Sequence, residues 1–390
     1  MTIAIAGGGI AGLAAAIALA GAGRSVVVFE QATAFAEIGA GVQIGPNGVR
    51  ALRWLGAWQA LEPSAVEPRR IVIRDAPSGR TLNEITLSAF EERYGAPYRV
   101  AHRGDLLAAL LATARALPGV ELRTGVAATG FDVRPDRVVV RLEPGDIFEA
   151  DALIGADGLH SAVRGRLLGP APPTYAGHVL YRALVPIEAV PAAVQSECVA
   201  LWLCPGGHVV HYPVSGGAKM NIVVAGESPA VADGWGTPVA AADVLACLGQ
   251  AVLPLAAMLQ APQDWRRWAA ADRPPASSWG EGPVTLIGDA AHPILPYLAQ
   301  GAVMALEDAV VLGHCANVGP TLAESFRAYE RLRRPRVARL ARLSQRQGRI
   351  YHLKGPMRLA RNAVLAGMPQ AVFFNQFDWL YSWQVPVVAK

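Results

Sequence analysis

The stretch from Thr2 to Glu30 constrains this chain more than any other. Thr2-Ile3-Ala4-Ile5-Ala6 has the length and apolar character of a parallel strand covered on both faces. Gly7-Gly8-Gly9-Ile10-Ala11-Gly12 satisfies G-x-G-x-x-G through Gly7, Gly9 and Gly12. The Ala- and Leu-rich run that follows predicts a helix to about Ala20, stopped by Gly21 and Gly23. Ser25-Val26-Val27-Val28-Phe29 predicts a second buried strand with Glu30 at its end. Gly7 would make the tight turn, Gly9 would let backbone approach a pyrophosphate, and Gly12 would let helix pack on strand. The helix N-terminus offers free N–H groups and partial positive charge to a diphosphate. Glu30 is placed to accept hydrogen bonds from a ribose. A lone glycine-rich turn says little; strand, turn, helix, strand and terminal acid together predict a dinucleotide-binding βαβ unit.

A chain of 390 residues has room for two domains, or for one large α/β domain with an insertion. Its apolar fraction of 52% supports a substantial core. Gly, Pro or charge breaks every apolar run short of membrane-spanning length. The first residues read as a strand without a basic leader, so a cytoplasmic protein is expected. Cys198, Cys204, Cys247 and Cys315 form no C-x-x-C pair and no metal-ligand spacing, and read as reduced structural thiols with no metal. The net charge of +4 is slight and gathers in Arg331 to Arg349. No aromatic interleaving accompanies those arginines, which argues against nucleic acid and for a solvated or acid-paired helix face.

Along the chain, Phe35 to Gly48 is too rich in glycine for a helix and reads as a loop or short strand, followed by a helix over 48–61. Strands are expected over 71–74 and 81–87 around Pro77-Ser78-Gly79, and over 120–123, 127–134 and 138–142. His102-Arg103-Gly104-Asp105 leads a helix over 106–116. A buried strand from Ala150 ends in Asp157-Gly158, before a helix start carrying Ser161 and Arg164; such polar strand-to-helix tips bind ligands in open α/β sheets. From about Pro173 the texture becomes that of an antiparallel sheet, with strands over 178–187, 198–204, 208–214 and 219–227. A helix over 240–259 and a Pro-rich return at Arg273-Pro274-Pro275 follow. Val284 to Asp289 restores the buried parallel strand, then comes a loop to Gln300-Gly301 and a helix over 302–312 holding Glu307 and Asp308. Pro335 predicts a kink or break in the Arg-rich helix after Glu324. The apolar, aromatic tail from Met357 to Trp383 is expected on the body of the protein, ahead of a dimer contact or a membrane surface.

Three separated motifs together resemble the single-component flavin aromatic hydroxylases, the p-hydroxybenzoate hydroxylase-like flavoprotein monooxygenases. They are Gly7 to Gly12 with Glu30, Asp157-Gly158 with Ser161 and Arg164, and Gly288-Asp289-Ala290-Ala291-His292-Pro293. The wording of Ile38 to Asn47, His102 to Leu106 and Leu298 to Ala302 is most similar to the salicylate hydroxylase, 3-hydroxybenzoate 6-hydroxylase and 6-hydroxynicotinate 3-monooxygenase group. The resemblance implies an α/β fold, α+β overall. A Rossmann-like FAD-binding domain would comprise 1–70, 97–172 and 274–350. An inserted antiparallel-sheet substrate domain would comprise 71–96 and 173–273, with a C-terminal helical tail over 351–390. A monomer or homodimer is expected.

The resemblance further implies that Glu30 holds the FAD ribose, Arg103 the phosphate region and Asp289 the ribityl chain. Asp157 and Arg164 would serve the FAD pyrophosphate and NAD(P)H docking; the plainer role for Asp157 and Asp289 is capping the turn behind each strand. Pro293 and the loop to Gly301 would lie near the flavin ring, with the helix after Gly301 aiming its N-terminus at it. One complete fingerprint and no redox Cys pair imply that NADH or NADPH binds transiently. The implied chemistry is hydride transfer to flavin N5, oxygen addition at C4a, and attack of the C4a-hydroperoxide on a ring activated by ionising its hydroxyl. Alternation on Gly207 to Pro213 puts His208 and Tyr212 on one face and His211 on the other. The relatives place a His and a Tyr four apart over the flavin, which implies His208 as base with Tyr212 orienting the substrate; His211 is the base if the register is reversed. Gln43 and Tyr297 are further substrate-site candidates, Arg182 is a candidate partner for a carboxylate, and His292 is not expected to be catalytic. The expected function is FAD-dependent hydroxylation, with NAD(P)H and O2, of a small phenolic or hydroxypyridine carboxylate. Alternatives are an epoxidase or hydroxylase of a larger polyketide or terpenoid-like substrate, and a non-catalytic flavin-binding redox sensor.

Overall fold

The computed structural model describes residues 1–35, 40–229, 236–249, 251–273 and 276–385. Ile38, Pro274 and Pro275, named above, lie outside them. Strand Thr2–Ala6 sits inside a six-stranded sheet ordered Gly280–Glu281, Val284–Leu286, Ala152–Gly155, Thr2–Ala6, Ser25–Glu30, Val120–Thr124. Its neighbours run parallel apart from the edge pair at 280–286. Helix Ile10–Gly21 and a three-stranded antiparallel sheet of Ala128–Val133, Val138–Leu142 and Ile147–Ala150 pack against it, so Ile3 to Ala6 are at most 1% exposed, which is why the strand reads as a continuous apolar run. From Thr2–Ala6 the chain steps one way to Ser25–Glu30 and Val120–Thr124, then returns on the other side at Ala152–Gly155. That reversal opens a crevice at the carboxyl ends of the two central strands, where Ala6 is level with Gly155. Gly7 leaves the first strand at φ +101°, and a Cβ on it would lie 2.5 Å from the Ala156 carbonyl oxygen. Only glycine fits this turn.

Helix Ile10–Gly21 is apolar nearly all round because helices Arg103–Arg115 and Gly301–Val318 pack on it from outside the sheet. Beside the parallel sheet stands a second one of eight strands, ordered Thr237–Val239, Trp265–Asp272, Thr174–Pro186, Lys219–Glu227, Gly207–Val214, Cys198–Cys204, Arg70–Asp75, Thr81–Thr86. It is antiparallel except for one pair: Cys198–Cys204 runs parallel to Arg70–Asp75. The two halves come from segments far apart in sequence, so no hairpin dictates their relative direction. A two-stranded ribbon, Gly41–Ile44 with Arg99–His102, carries Gln43 and leads to Arg103.

Several local expectations need correction. The helix expected over 48–61 is Pro46–Trp54 and Trp58–Leu61, parted where Gly56 takes φ +73°. The one expected over 240–259 is Ala241–Ala246 and Leu253–Gln260, with Gly249 at φ +68° between them. Helix Leu322–Tyr351 runs through Pro335 without a break. Ion pairs from Arg333 and Arg336, on either side of that proline, fix it to helix Gly301–Val318. The final helices, Gly355–Ala366 and Gln370–Tyr381, pack on the body: Asp378 accepts from Arg93 and from the Tyr94 hydroxyl, both at 2.6 Å. No described helix is long and apolar enough to cross a membrane.

Candidate active site

Three strand ends meet at the crevice. At the first, Glu30 accepts from the backbone N–H of Gly8 at 2.7 Å and of Ala32 at 2.8 Å, which fixes its carboxylate beside the glycine turn. Gly9 has no heavy atom within 4 Å of where a Cβ would sit, so its backbone is open to a ligand. A Cβ on Gly12 would lie 1.9 Å from the Gly7 carbonyl oxygen, so its hydrogen is what lets the helix close on the turn. At the second end, Asp157 accepts from the Val163 N–H at 3.1 Å and Ser161 from the Arg164 N–H at 2.8 Å, together capping helix Ala162–Leu168. Capping uses one carboxylate oxygen of Asp157; the other, Oδ1, is buried with no hydrogen-bond partner, and burial pushes its pKa up. An orphaned acceptor at this spot awaits a donor.

Arg164 differs from expectation. Its Nη1 donates to the carbonyls of Ala290 and Ala291, each at 2.9 Å, tying the second strand end to the third. It does not line the crevice cavity, and its guanidinium braces the two strand ends against each other. At the third end Gly288 turns with φ +60° and donates to Asp308 Oδ2 at 3.2 Å, leaving Asp289 on the cavity wall. A fully buried ion cluster stands behind that turn. Arg333 donates to Glu307 and to Asp308 at 2.6 Å, His292 lies 2.5 Å from Asp308, and Asn47 donates to Glu307 at 2.8 Å. His292 is thus a brace. Pro293 lines a separate cavity with Arg273, Arg331 and Arg334, while Ile294 and Pro296 line the crevice cavity. Gly301 lies on the crevice cavity at the N-terminus of its helix, two residues after Ala299, a non-glycine residue held at φ +52°. Such left-handed backbone costs energy and persists where the surroundings impose it.

The crevice cavity, about 310 Å³, has two unlike walls. Gly9, Gly41, Arg103, Gly158, Asp289 and Gly301 form the glycine-rich one. Leu180, Arg182, His208, Val210, Tyr212 and Val223 form the other, from the second sheet. Open glycine backbone, a held ribose-accepting carboxylate, an orphaned Asp157 oxygen and a helix N-terminus suit FAD: a diphosphate, two polyol stretches and a flat ring. Glu30, Asp157, Asp289, Arg103 and Gly301 would hold it.

On the opposite wall, alternation along Gly207–Val214 sorts the candidates. His208 and Tyr212 face the cavity; His211 stands on the other side, where its Nε2 accepts from Trp202 Nε1 at 3.0 Å. The reversed register is therefore excluded, and His211 is not at the site. Burial lowers the His208 pKa to about 3, so its imidazole is neutral. The Tyr212 hydroxyl is held protonated by burial, with Gln43 beside it, and Gln43 Oε1 accepts from the Tyr98 hydroxyl at 2.6 Å. Close packing sets Tyr212: a Cβ on Gly41 would lie 2.5 Å from its ring. Tyr297 lies beyond this cavity, on a second and mostly apolar one of about 540 Å³ that shares Gln43, His208, Val210, Pro296 and Ala299 with the first. Two residues escaped the sequence reading: His352, whose Nε2 lies 2.9 Å from His208 Nδ1, and His178, whose Nε2 lies 2.8 Å from His352 Nδ1. Strand alternation could have singled out His178, but nothing near His352 marks it.

Residues 1–344 match the model of a family described as FAD binding domain. The chain is 40% identical to a 3-hydroxybenzoate 6-hydroxylase of Polaromonas naphthalenivorans (strain CJ2), covering 99% of this chain and 96% of that protein. It is 35% identical to a 6-hydroxynicotinate 3-monooxygenase of Pseudomonas fluorescens, covering 88% and 90% respectively. The crystal structure of Klebsiella pneumoniae HpxO complexed with FAD and uric acid superposes with a TM-score of 0.87 at 30% identity, covering 97% of this chain and 96% of that one. The chain belongs to the FAD-binding-domain family and, within it, to the flavoprotein aromatic hydroxylases of the 3-hydroxybenzoate and hydroxypyridine type.

Proposed function

We propose that this chain consumes NADH or NADPH and O2 to hydroxylate a small phenolic or hydroxypyridine carboxylate in the crevice cavity. The observation that carries the reading is His208: a buried, neutral imidazole whose Nδ1 is committed to His352, leaving Nε2 for a ligand. Nε2 accepts the substrate's hydroxyl proton, which makes the ring electron-rich enough to be attacked. Tyr212 donates to the same hydroxyl and Gln43 positions Tyr212. Arg182, on the second-sheet wall, supplies positive charge for the carboxylate. FAD held by the glycine-rich wall would supply the redox chemistry by which two nicotinamide electrons and O2 give one ring hydroxyl and one water. Residues 71–96 and 173–273 are assigned to substrate binding and the remainder up to residue 350 to the cofactor.

The adjoining cavity of about 540 Å³ favours a second reading, a larger substrate reaching into it. The test is oxidation of NADH and NADPH by FAD-loaded protein across hydroxybenzoates and 6-hydroxynicotinate, with product and hydrogen peroxide quantified together. Stimulation of at least about tenfold, with one hydroxylated product per nicotinamide, supports the small-acid reading. Peroxide without product makes the compound an effector, and no response to any small acid moves the assignment to the larger substrate.

A further inference from the structure

His208 can accept a proton but has no means of keeping it, because burial opposes its charged form and neighbouring His178 adds to that. The imidazoles behind it offer a way out. His208 Nδ1 lies 2.9 Å from His352 Nε2, His352 Nδ1 lies 2.8 Å from His178 Nε2, and His178 Nδ1 lies 2.9 Å from the Ala176 carbonyl oxygen. A carbonyl only accepts, so His178 Nδ1 carries a proton and its Nε2, in the neutral ring, accepts from His352 Nδ1–H. His352 Nε2 then accepts from His208 Nδ1–H, and His208 Nε2 is left with its lone pair. One backbone carbonyl thereby sets the tautomer of three rings and points a base at the cavity.

We infer that His208, His352 and His178 form a proton wire that carries the substrate's hydroxyl proton from the cavity to solvent; this rests on the hydroxylase reading above. His208 and His352 are 6% and 7% exposed while His178 is half-buried, so the wire runs from inside to outside. The Tyr297 ring packs against all three imidazoles, with centroids 5.8, 5.4 and 6.0 Å from His208, His352 and His178, and Tyr351 covers His208 at 5.1 Å; together they hold the imidazoles in line. The charges around the wire favour exit. Arg361 and Lys354 act against positive charge resting on His352; on His178 the Ala176 carbonyl and the Glu227 carboxylate, paired with Lys354 at 2.5 Å, favour it against burial and Lys354.

The balance closes without a co-reactant. The substrate O–H bond breaks as His208 Nε2 gains the proton; His208 passes its Nδ1 proton to His352 Nε2; His352 passes its Nδ1 proton to His178 Nε2; His178, then protonated on both nitrogens, breaks its hydrogen bond to the Ala176 carbonyl and releases the Nδ1 proton to water. No electron moves. Reprotonating the product oxyanion runs the same hops backwards and restores the starting tautomers. His352 and His178 act through His208 and are positioning residues in this sense.

The test mixes FAD-loaded enzyme with 3-hydroxybenzoate in weak buffer containing a pH indicator, following proton release and the absorbance of the bound phenolate in one stopped-flow trace. Wild type is expected to release one proton per site in step with phenolate formation. His352→Gln and His178→Gln keep a donor and an acceptor but cannot relay a proton. Both are expected to slow release about tenfold or more, with substrate affinity changed less than about threefold, and added imidazole is expected to restore His178→Gln but not His352→Gln. Wild-type release rates in both variants would overturn the wire and leave the hydroxylase reading standing. A wild-type enzyme that neither binds nor turns over any member of the substrate panel would overturn both. Nitrogen-15 NMR of histidine-labelled wild type needs no variant: Nδ1–H tautomers in all three rings are expected, and an Nε2–H tautomer at His208 in the substrate-free enzyme refutes the proposal.

Discussion

Replacing Arg333 with Met would remove the cation at the centre of the cluster behind the cofactor turn. Arg333 is 1% exposed, and Glu307 and Asp308, its two partners, are 0% exposed. Met preserves most of the side-chain volume, so the cost is electrostatic rather than that of a cavity. Breaking a buried pair by removing one member costs about 3–5 kcal/mol, since the partner's charge stays desolvated. At an unfolding entropy of about 2.1 cal/mol/K per residue, that is a fall of about 4–6 °C in Tm for a chain of this length. Acid gives the stricter test. In the wild type, burial works to raise the Asp308 pKa, but His292 and then Arg333 outweigh it and hold it at about 2. Its folded pKa lies below the unfolded value, so the stability it contributes is present above about pH 4 and lost as pH falls towards 2. Without Arg333 only His292 opposes burial at Asp308, and Arg336 with Asn47 at Glu307, so the folded pKa values of both acids rise relative to wild type. The variant's penalty is then largest at high pH and shrinks on acidification. Thermal and denaturant unfolding of FAD-saturated protein at pH 8 and pH 5.5 would measure both effects. Because Asp308 also receives the Gly288 N–H, FAD affinity should fall alongside stability. A loss below about 1 kcal/mol at pH 8, or a gap from wild type that widens at pH 5.5, refutes the reasoning.

Gly41→Ala would drive a methyl to within 2.5 Å of the Tyr212 ring and 2.7 Å of Asn221, an overpacking cost of about 1–3 kcal/mol. In FAD-loaded protein, substrate-stimulated NAD(P)H oxidation should drop about tenfold or more as Tyr212 is displaced; unchanged turnover would show that Tyr212 does not orient the substrate. His211, buried away from the site, has a folded pKa lowered by burial to about 3. Its contribution to stability is complete above the unfolded value near 6.5 and is lost as pH falls towards 3, about 1.4 kcal/mol by pH 5.5. His211→Phe should flatten the denaturant-measured loss between pH 7.5 and 5.5 by that amount, and equal losses in both proteins would contradict it.

The cofactor wall was legible because its residues answer to local rules: a strand, a tight glycine turn and a helix N-terminus each announce themselves within a dozen residues. His208 and Tyr212 were legible for a similar reason, since a strand's period of two fixes which side chains share a face. The contacts of Arg164 and the cavity that Pro293 lines were not legible, because motif position fixes where backbone runs, not which carbonyls a guanidinium finds. Arg164 found those of Ala290 and Ala291, more than a hundred residues away in sequence. The parallel join between Cys198–Cys204 and Arg70–Asp75 was invisible for the same cause, being a pairing between distant segments that no turn prescribes.

Helix Leu322–Tyr351 shows why His352 stayed hidden. Its face towards the body carries Arg333, Val337, Leu340, Ser344 and Gly348, all buried, and the same three-and-four spacing continues to His352 at the cap. Each position serves the site differently. Arg333 holds the cofactor turn, Ser344 donates to the Leu295 carbonyl at 2.5 Å, Gly348 leaves room for the Tyr297 ring, and His352 meets His208. A Cβ on Gly348 would lie 2.5 Å from that ring, so a side chain there would push Tyr297 against the three imidazoles. Only two of these six positions are apolar, and the periodicity that marks an inward face dissolves among arginines. The helix thus couples the two walls: a shift along its axis would loosen the Asp289 turn at one end and lengthen the His208–His352 contact at the other. Cofactor retention and proton release should therefore fail together in variants that move this helix, and separately in variants such as His178→Gln that leave it in place.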